Sequence, residues 1–155
     1  MRKIILAVVG FAALATGAQA GTLNGVYTDS QAERGAVQFQ QHCARCHGAD
    51  LAGTFETPPL IGRFIPYWQG TSLDILADYI NTAMPLDRPG TLGRAADADI
   101  LAFILKSNGF PAGVNELSAD SDAQKAIRFD GVRGPPEAAT SSTRKKDTKA
   151  RQGLP

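Results

Sequence analysis

Two cysteines and a histidine lie within five residues of this chain, and no other cysteine occurs among its 155 residues. Cys43 and Cys46 are separated by two residues and His47 follows directly, which is the C-x-x-C-H pattern. This spacing lets both thiols form thioether bonds along one porphyrin edge while the histidine coordinates the iron. The pattern therefore predicts a chain that folds around one covalently attached haem, bound by Cys43, Cys46 and His47.

Two other kinds of site also use a C-x-x-C pair: a redox-active dithiol and one half of a zinc site. A zinc site needs a second pair of ligands, but the two histidines of the chain, His42 and His47, both lie beside the cysteines. A dithiol does not require His47 at all. The sequence favours haem, and both alternatives stay open at this point.

The N-terminus has the pattern of a secretory signal peptide over residues 1–20. Arg2 and Lys3 precede an apolar run, 4–15, that is too short to span a bilayer comfortably. Ala18-Gln19-Ala20 is an A-x-A cleavage site. We therefore expect cleavage after Ala20 and export to the bacterial periplasm, where c-type haem is attached. An uncleaved membrane anchor is the alternative.

The C-terminal residues 134–155 differ in composition from the rest of the chain. They contain Pro, Thr and Ser residues and five basic residues, and almost no residue that could anchor a core. We predict a disordered basic tail, which is either solvated without a role or a tether to an acidic partner or anionic membrane. The remaining residues, 21–133, form one small domain with nine basic and 13 acidic residues. Such a surface does not resemble a nucleic-acid-binding face.

Helical spacing of apolar residues occurs in four segments of this domain, and no segment has the alternation of a strand. Asp29 or Ser30 is the expected N-cap of the first helix and Ser72 that of the second. Gly35 lies in the middle of the first helix, where glycine is costly, and either permits a close helix crossing or merely weakens the helix. The proline- and glycine-rich residues 49–68 are predicted to form a loop around the haem. The predicted helices cover about 29–43, 73–83, 94–107 and, more weakly, 120–128.

Met84 is the predicted second axial ligand of the iron. It is the one methionine outside the predicted signal peptide, and it lies between an amphipathic helix and Pro85. A thioether is a soft, neutral ligand that raises the reduction potential. Ordinary core packing is the alternative for Met84. His42 precedes Cys43 directly and cannot easily reach the opposite haem face, so we expect it to be a partly exposed flanking residue.

The chain resembles the class I c-type cytochromes over about residues 27–117. The resemblance implies an all-α fold of three to four short helices around a covalently bound haem, in which Phe39 packs against the last helix. It also implies that the Pro58 carbonyl accepts a hydrogen bond from His47. Trp68 would lie beside the haem, where it donates its N–H to a propionate or simply packs in the core. The matching residues are Gly35, Phe39, Cys43, Cys46, His47-Gly48, Pro58-x-Leu60-x-Gly62, Trp68, Met84-Pro85 and Phe103.

Residues 78–92 and 100–113 are similar to cytochrome c domains that partner periplasmic dehydrogenases, including quinoprotein alcohol dehydrogenases. This resemblance implies a periplasmic monohaem carrier that is not itself an enzyme. It would take single electrons from a periplasmic dehydrogenase to a downstream cytochrome or oxidase. One alternative is a permanently bound subunit of an alcohol, aldehyde or sulfur-compound dehydrogenase, and another is a haem peroxidase or sensor. We expect a monomer or a subunit of a hetero-complex, without nucleic acid as a partner.

Overall fold

The fold is predominantly helical, in agreement with the predicted all-α class. The structure, a computed structural model, describes residues 20–131, so the predicted signal peptide up to residue 19 and the predicted tail lie outside the described residues. These described residues contain six helices, where three to four were expected. The elements are β1 (Ala20–Gly21), a short 3₁₀ turn (Thr22–Asn24), α1 (Asp29–His42), α2 (Ala44–His47), α3 (Phe64–Trp68), α4 (Leu73–Ala83), α5 (Arg94–Ser107), α6 (Ser121–Lys125) and β2 (Ile127–Arg128).

The first long helix, α1, crosses the last long helix, α5, at Gly35. A Cβ atom on Gly35 would lie 1.8 Å from the backbone oxygen of Asp99, so only glycine fits at this crossing. One turn along α1, the ring of Phe39 is fully buried and its centroid lies 5.2 Å from that of Phe103. The close crossing and the packing of Phe39 on the last helix are therefore confirmed.

The core lies between α1, α4 and α5 and extends under the segment that follows α5. The apolar face of α4 is buried as its periodicity predicts. On α5 the buried face is broad, because residues next to one another in the sequence, such as Ile100, Leu101 and Ala102, are all buried. The buried residues of these two helices include Leu73, Leu76, Ala77, Ile80, Ile100, Leu101, Ala102, Ile104 and Leu105.

Two buried polar side chains fasten the segment after α5 to the start of α1. The Gln31 side chain donates to the Leu117 carbonyl at 2.9 Å and accepts from the Leu117 N–H at 2.7 Å. The Tyr27 hydroxyl donates to the Phe110 carbonyl at 2.6 Å. Burial raises the pKa of Tyr27 to about 12, and the nearby charge of Asp29 adds to the rise. The segment is thus held by polar contacts inside an apolar core.

The helix starts differ from the predictions in detail. The N-cap of α1 is Thr28, whose hydroxyl accepts a bond from the Gln31 N–H at 3.2 Å, and not Asp29 or Ser30. Thr28 has the extended backbone that an N-cap needs, and it lies one residue earlier than expected. Ser72 does occupy the N-cap position of α4, but its side chain makes no capping hydrogen bond.

Three further elements depart from the predictions. Helix α3 lies inside the predicted loop and contains Pro66, which is tolerated because the first turn of a helix has no intrahelical N–H bonds to lose. The last helix, α6, spans only five residues. Strands β1 and β2, which no sequence signal indicated, pair in parallel with Ala20 opposite Ile127 and Gly21 opposite Arg128. None of the helices in residues 20–131 is long and apolar enough to cross a membrane.

Candidate haem-binding site

The C-x-x-C-H motif begins where α1 ends. The Cys43 N–H donates to the Phe39 carbonyl at 2.8 Å and closes α1, and the chain then turns directly into the single-turn helix α2. The backbone N–H groups of Cys46 and His47 both donate to the Cys43 carbonyl, at 3.1 and 3.0 Å. Both cysteines are free thiols, with Cys43 half-buried and Cys46 exposed. One tight turn therefore carries the two thiols and the imidazole.

The His47 ring is oriented by the loop that follows the motif. Its Nδ1 lies 3.0 Å from the Pro58 carbonyl oxygen, which can only accept, so Nδ1 carries the hydrogen and Nε2 is left as the metal-binding atom. The loop folds back through two backbone bonds, from Gly53 N–H to the His47 carbonyl at 2.8 Å and from Leu60 N–H to the Leu51 carbonyl at 2.8 Å. Such a contact fixes the ring and raises its basicity as a ligand.

The Cys43 thiol has the opposite character from a redox-active cysteine. Burial raises its pKa to about 11, and the Asp97 carboxylate and the Cys46 thiol add to the rise. A redox dithiol needs a thiol of lowered pKa, so this environment argues against the dithiol alternative. Within residues 20–131, no three His, Cys, Asp or Glu side chains gather into a group that could hold a metal ion.

Asp97 is a buried carboxyl group beside the motif that the sequence analysis missed. It is 3% exposed, and its Oδ2 accepts a hydrogen bond from the Asn81 amide at 2.6 Å, while its Oδ1 has no partner among the described residues. Burial raises the Asp97 pKa, opposed by the bond from Asn81 and the charge of Arg94. No sequence signal distinguishes Asp97 from exposed aspartates, because its burial follows from how α4 packs on α5.

Met84 directly follows α4, and its N–H donates to the Ile80 carbonyl at 3.1 Å. Its side chain is half-buried and the next residue, Pro85, is buried. The chain beyond it returns to the motif, where Asp87 forms an ion pair with Arg45 at 3.1 Å. Met84 thus begins a segment that lies against the C-x-x-C-H turn, and its role as the second axial ligand stays a prediction.

Trp68 lies in a cluster of aromatic rings next to α4. Its ring centroid is 5.1 Å from that of Tyr67 and 6.1 Å from those of Phe64 and Tyr79. The indole is half-buried, and Tyr67 is 78% exposed. This arrangement establishes aromatic packing for Trp68, and its proposed bond to a haem propionate stays a prediction.

These observations together test whether the residues fit haem c. Two unpaired thiols lie on one turn, an imidazole has its Nε2 left free by Pro58, and a thioether lies on a segment tied to the same turn. Thiols, imidazole and thioether are the donors by which cytochromes c hold haem. The donor set therefore fits the cofactor, with Cys43, Cys46, His47 and Met84 as the residues that would hold it.

The comparison with known proteins agrees with this site. Residues 30–104, which contain the motif, Pro58, Trp68 and Met84, match the family described as cytochrome c oxidase, cbb3-type, subunit III. No curated protein sequence matches the chain. Among solved structures, the sulfane dehydrogenase SoxCD from Paracoccus pantotrophus is similar at 20% identity and a TM-score of 0.47, over 85% of this chain and 70% of that one. On the family match and the motif together, residues 30–104 form a c-type cytochrome domain, a kind of domain that binds haem and transfers electrons.

Proposed function

We propose that this cytochrome is an exported carrier of single electrons whose iron is held by His47 on one face and Met84 on the other. When bound, haem c supplies an iron that alternates between the ferrous and ferric states. If both side chains bind the iron, they would leave it no open position for a substrate. This arrangement favours electron transfer over peroxidase chemistry or gas sensing.

Each residue of the site has a separate role in this proposal. Cys43 and Cys46 form the two thioether bonds, and the tight turn of α2 sets their spacing. The Pro58 carbonyl holds the His47 ring through Nδ1, which would leave Nε2 available to bind the iron. The Met84 thioether keeps the reduction potential high compared with harder donors. Trp68, which packs on Tyr67 and Tyr79, would lie beside the haem.

The observation that carries the proposal is the ion pair between Arg45 and Asp87, at 3.1 Å. Arg45 lies between the two cysteines and Asp87 lies three residues after Met84, so this contact joins the segment of one predicted ligand to the turn of the other. The contact supports a site in which the Met84 side chain and the motif would bind the same group.

We further propose that the protein works in the bacterial periplasm, because residues 1–20 have the pattern of a cleaved signal peptide. Its electron donor is then a periplasmic dehydrogenase and its acceptor a downstream cytochrome or oxidase. Transient carriers dock through small interfaces, and charge steering makes such encounters sensitive to salt. A dehydrogenase chain that stays bound through purification would instead identify a permanent subunit.

The substitution Met84→Ala tests the ligand assignment. We expect the ferric protein to lose the far-red charge-transfer band of a methionine–iron bond. The reduction potential should fall by roughly 0.1 to 0.3 V, within the range of about 0.8 V over which axial ligands tune haem. Absorption spectroscopy and redox titration measure both changes. A wild-type ferric protein without the band, or one that is high-spin, would contradict the proposal.

Leu86→Ala is the matched control for this substitution, because Leu86 lies two residues further on and is 81% exposed. It should leave the band and the potential unchanged. Peroxidase turnover distinguishes a carrier from a haem peroxidase, because a carrier should gain this activity only when Met84 is removed. Covalent attachment is checked by the mass of the exported chain, which should exceed that of residues 21–155 by one haem. Its partner can be found by pulling the mature protein down from periplasm and identifying the chain that comes with it.

A further inference from the structure

The segment after Met84 makes two side-chain contacts with the residues around the motif. We call residues 84–88 the Met84 segment. Asp87 forms the ion pair with Arg45, and one residue later an Arg88 Nη atom lies 2.8 Å from His42 Nδ1. An arginine can only donate, so His42 Nδ1 accepts this bond. These two contacts join positions that are 42 and 46 residues apart in the chain.

The other end of the Met84 segment is fixed to α5 through the last turns of α4. The Asn81 amide donates to Asp97 at 2.6 Å, and one turn earlier Asp78 pairs with Arg94 at 2.9 Å. Within the segment, the Arg88 N–H donates to the Pro85 carbonyl at 2.9 Å and closes a turn. Met84 therefore lies between one attachment to α5 and another to the motif.

Apolar burial contributes little to the second attachment. Pro85 is the one fully buried residue of the segment, Leu86 is 81% exposed, and both Asp87 and Arg88 are exposed. Segments with few buried apolar contacts open locally at much lower free energy than the core. The contacts of Arg45 and Arg88 therefore carry a large share of what holds the segment against the motif.

We propose that Arg45 and Arg88 are positioning residues, which keep the Met84 thioether in place by tying the segment that follows it to the motif. This inference rests on the proposed function, because it takes Met84 as the second axial ligand. Exposed ion pairs contribute little to global stability, since unfolding breaks many other contacts as well. They should contribute in full to the free energy of local opening of the segment, because opening breaks these two contacts and few others.

Imidazole is the probe of this opening, because it can bind the ferric iron only after Met84 leaves. At saturating imidazole the rate of spectral change equals the opening rate of the segment. We expect Arg45→Gln and Arg88→Gln each to raise this rate about threefold, and the double variant about tenfold, as for exposed pairs that act independently. The wild-type rate should also rise with added salt, and this salt dependence should shrink in Arg45→Gln.

Lys106→Gln is the matched control, because it removes another exposed ion pair, 2.7 Å from Lys106 Nζ to Asp29, which touches neither the motif nor the Met84 segment. It should leave the opening rate unchanged. Denaturant midpoints should coincide for all single variants, which excludes a general loss of stability. The charge-reversed pair Arg45→Asp with Asp87→Arg should restore most of the wild-type rate.

An opening rate in the double variant equal to that of the wild type would overturn this inference. The same holds if Lys106→Gln accelerates opening as much as Arg45→Gln does. Either result leaves the proposed function intact as long as the wild-type ferric protein has the methionine–iron band. A wild-type protein without that band contradicts the proposed function itself, and the inference falls with it. The two failures are therefore distinguishable.

Discussion

Different interactions stabilise two regions of the molecule: the crossing of α1 with α5, and the Met84 segment. At the crossing, Gly35 lets two backbones touch and Phe39 is completely buried. At the Met84 segment, the chain is attached through exposed polar pairs such as Arg45 with Asp87. The first region depends on close packing, which tolerates almost no added volume, and the second on charge pairs, which salt and substitution weaken gradually.

This difference separates stability from ligand control. A substitution that separates α1 from α5 should destabilise the whole domain, because these two helices enclose much of the core. Damage at the Met84 segment should change how often the sulfur leaves the iron while the domain stays folded. Substitutions in the two regions can therefore test whether the scaffold and the ligand segment are independent.

Gly35→Ala should give the largest effect. Its methyl group would overlap the backbone oxygen of Asp99 and push α1 away from α5, which should lower the free energy of unfolding by about 3 kcal/mol. Denaturant unfolding followed by circular dichroism measures the loss. Val37→Ala is the control, because Val37 lies on the same helix and is 55% exposed, and it should change the free energy by less than about 0.5 kcal/mol. Equal effects of the two substitutions would refute the crossing as the centre of stability.

Gln31→Leu should follow with a loss of about 2 kcal/mol, because the N–H and carbonyl of Leu117 would stay buried without partners. The same unfolding measurement applies. Gln40→Leu is the matched control on the same helix, where the amide makes one exposed bond to the Ala49 carbonyl at 3.3 Å. A small effect of Gln31→Leu would mean that the segment after α5 is held by its apolar contacts alone.

Asp97→Asn should give the smallest effect and the opposite sign, because Asp97 lies between the two regions and its charge is costly to bury. Its pKa is raised in the folded protein, so the stability it contributes is present below the unfolded pKa of about 3.9 and is lost as the pH rises through the folded pKa. Removing the charge should therefore stabilise the protein at pH 7, by about 1 kcal/mol, the typical size of a single-site effect.

The pH dependence of this effect is its sharpest signature. The difference between Asp97→Asn and the wild type should vanish at a pH below about 4, where the wild-type carboxyl is protonated in both states. Asp122→Asn, at an exposed position of α6, should show no such dependence. If the difference in the free energy of unfolding between Asp97→Asn and the wild type grew toward low pH, the Asp97 charge would not be costly to bury.

The sequence predicted those parts of the fold that depend on local spacing. The bounds predicted for α4 and α5 from the spacing of apolar residues match the observed ones. Gly35 indicated a crossing, because glycine is otherwise costly within a helix. The contact between His47 and Pro58 was expected from the resemblance to class I cytochromes, and the two atoms lie 3.0 Å apart. These features need only neighbouring residues or a motif of fixed spacing.

Features that depend on contacts between distant segments were missed. Helix α3 forms in a stretch whose glycines and prolines suggested a loop, because its one proline, Pro66, lies in the first turn, where no intrahelical N–H bond is lost. The burial of Asp97 and the pairing of Arg45 with Asp87 arise only when α4 packs on α5 and the chain returns to the motif. A charged residue gives the same signal in the sequence whether it is solvated or paired across the fold.

The pairing of β1 with β2 has a consequence for how this domain can be joined to others. Arg128 of β2 also bridges to Ser72 at the start of α4, whereas Met84 lies at the far end of that helix. Eleven helical residues separate the two ends by about 16 Å. The chain thus enters and leaves the described body at one place, remote from Met84. A short linker from the end of β2 back to Gly21 could therefore join the two ends of the described body for circular permutation, with the new ends placed elsewhere.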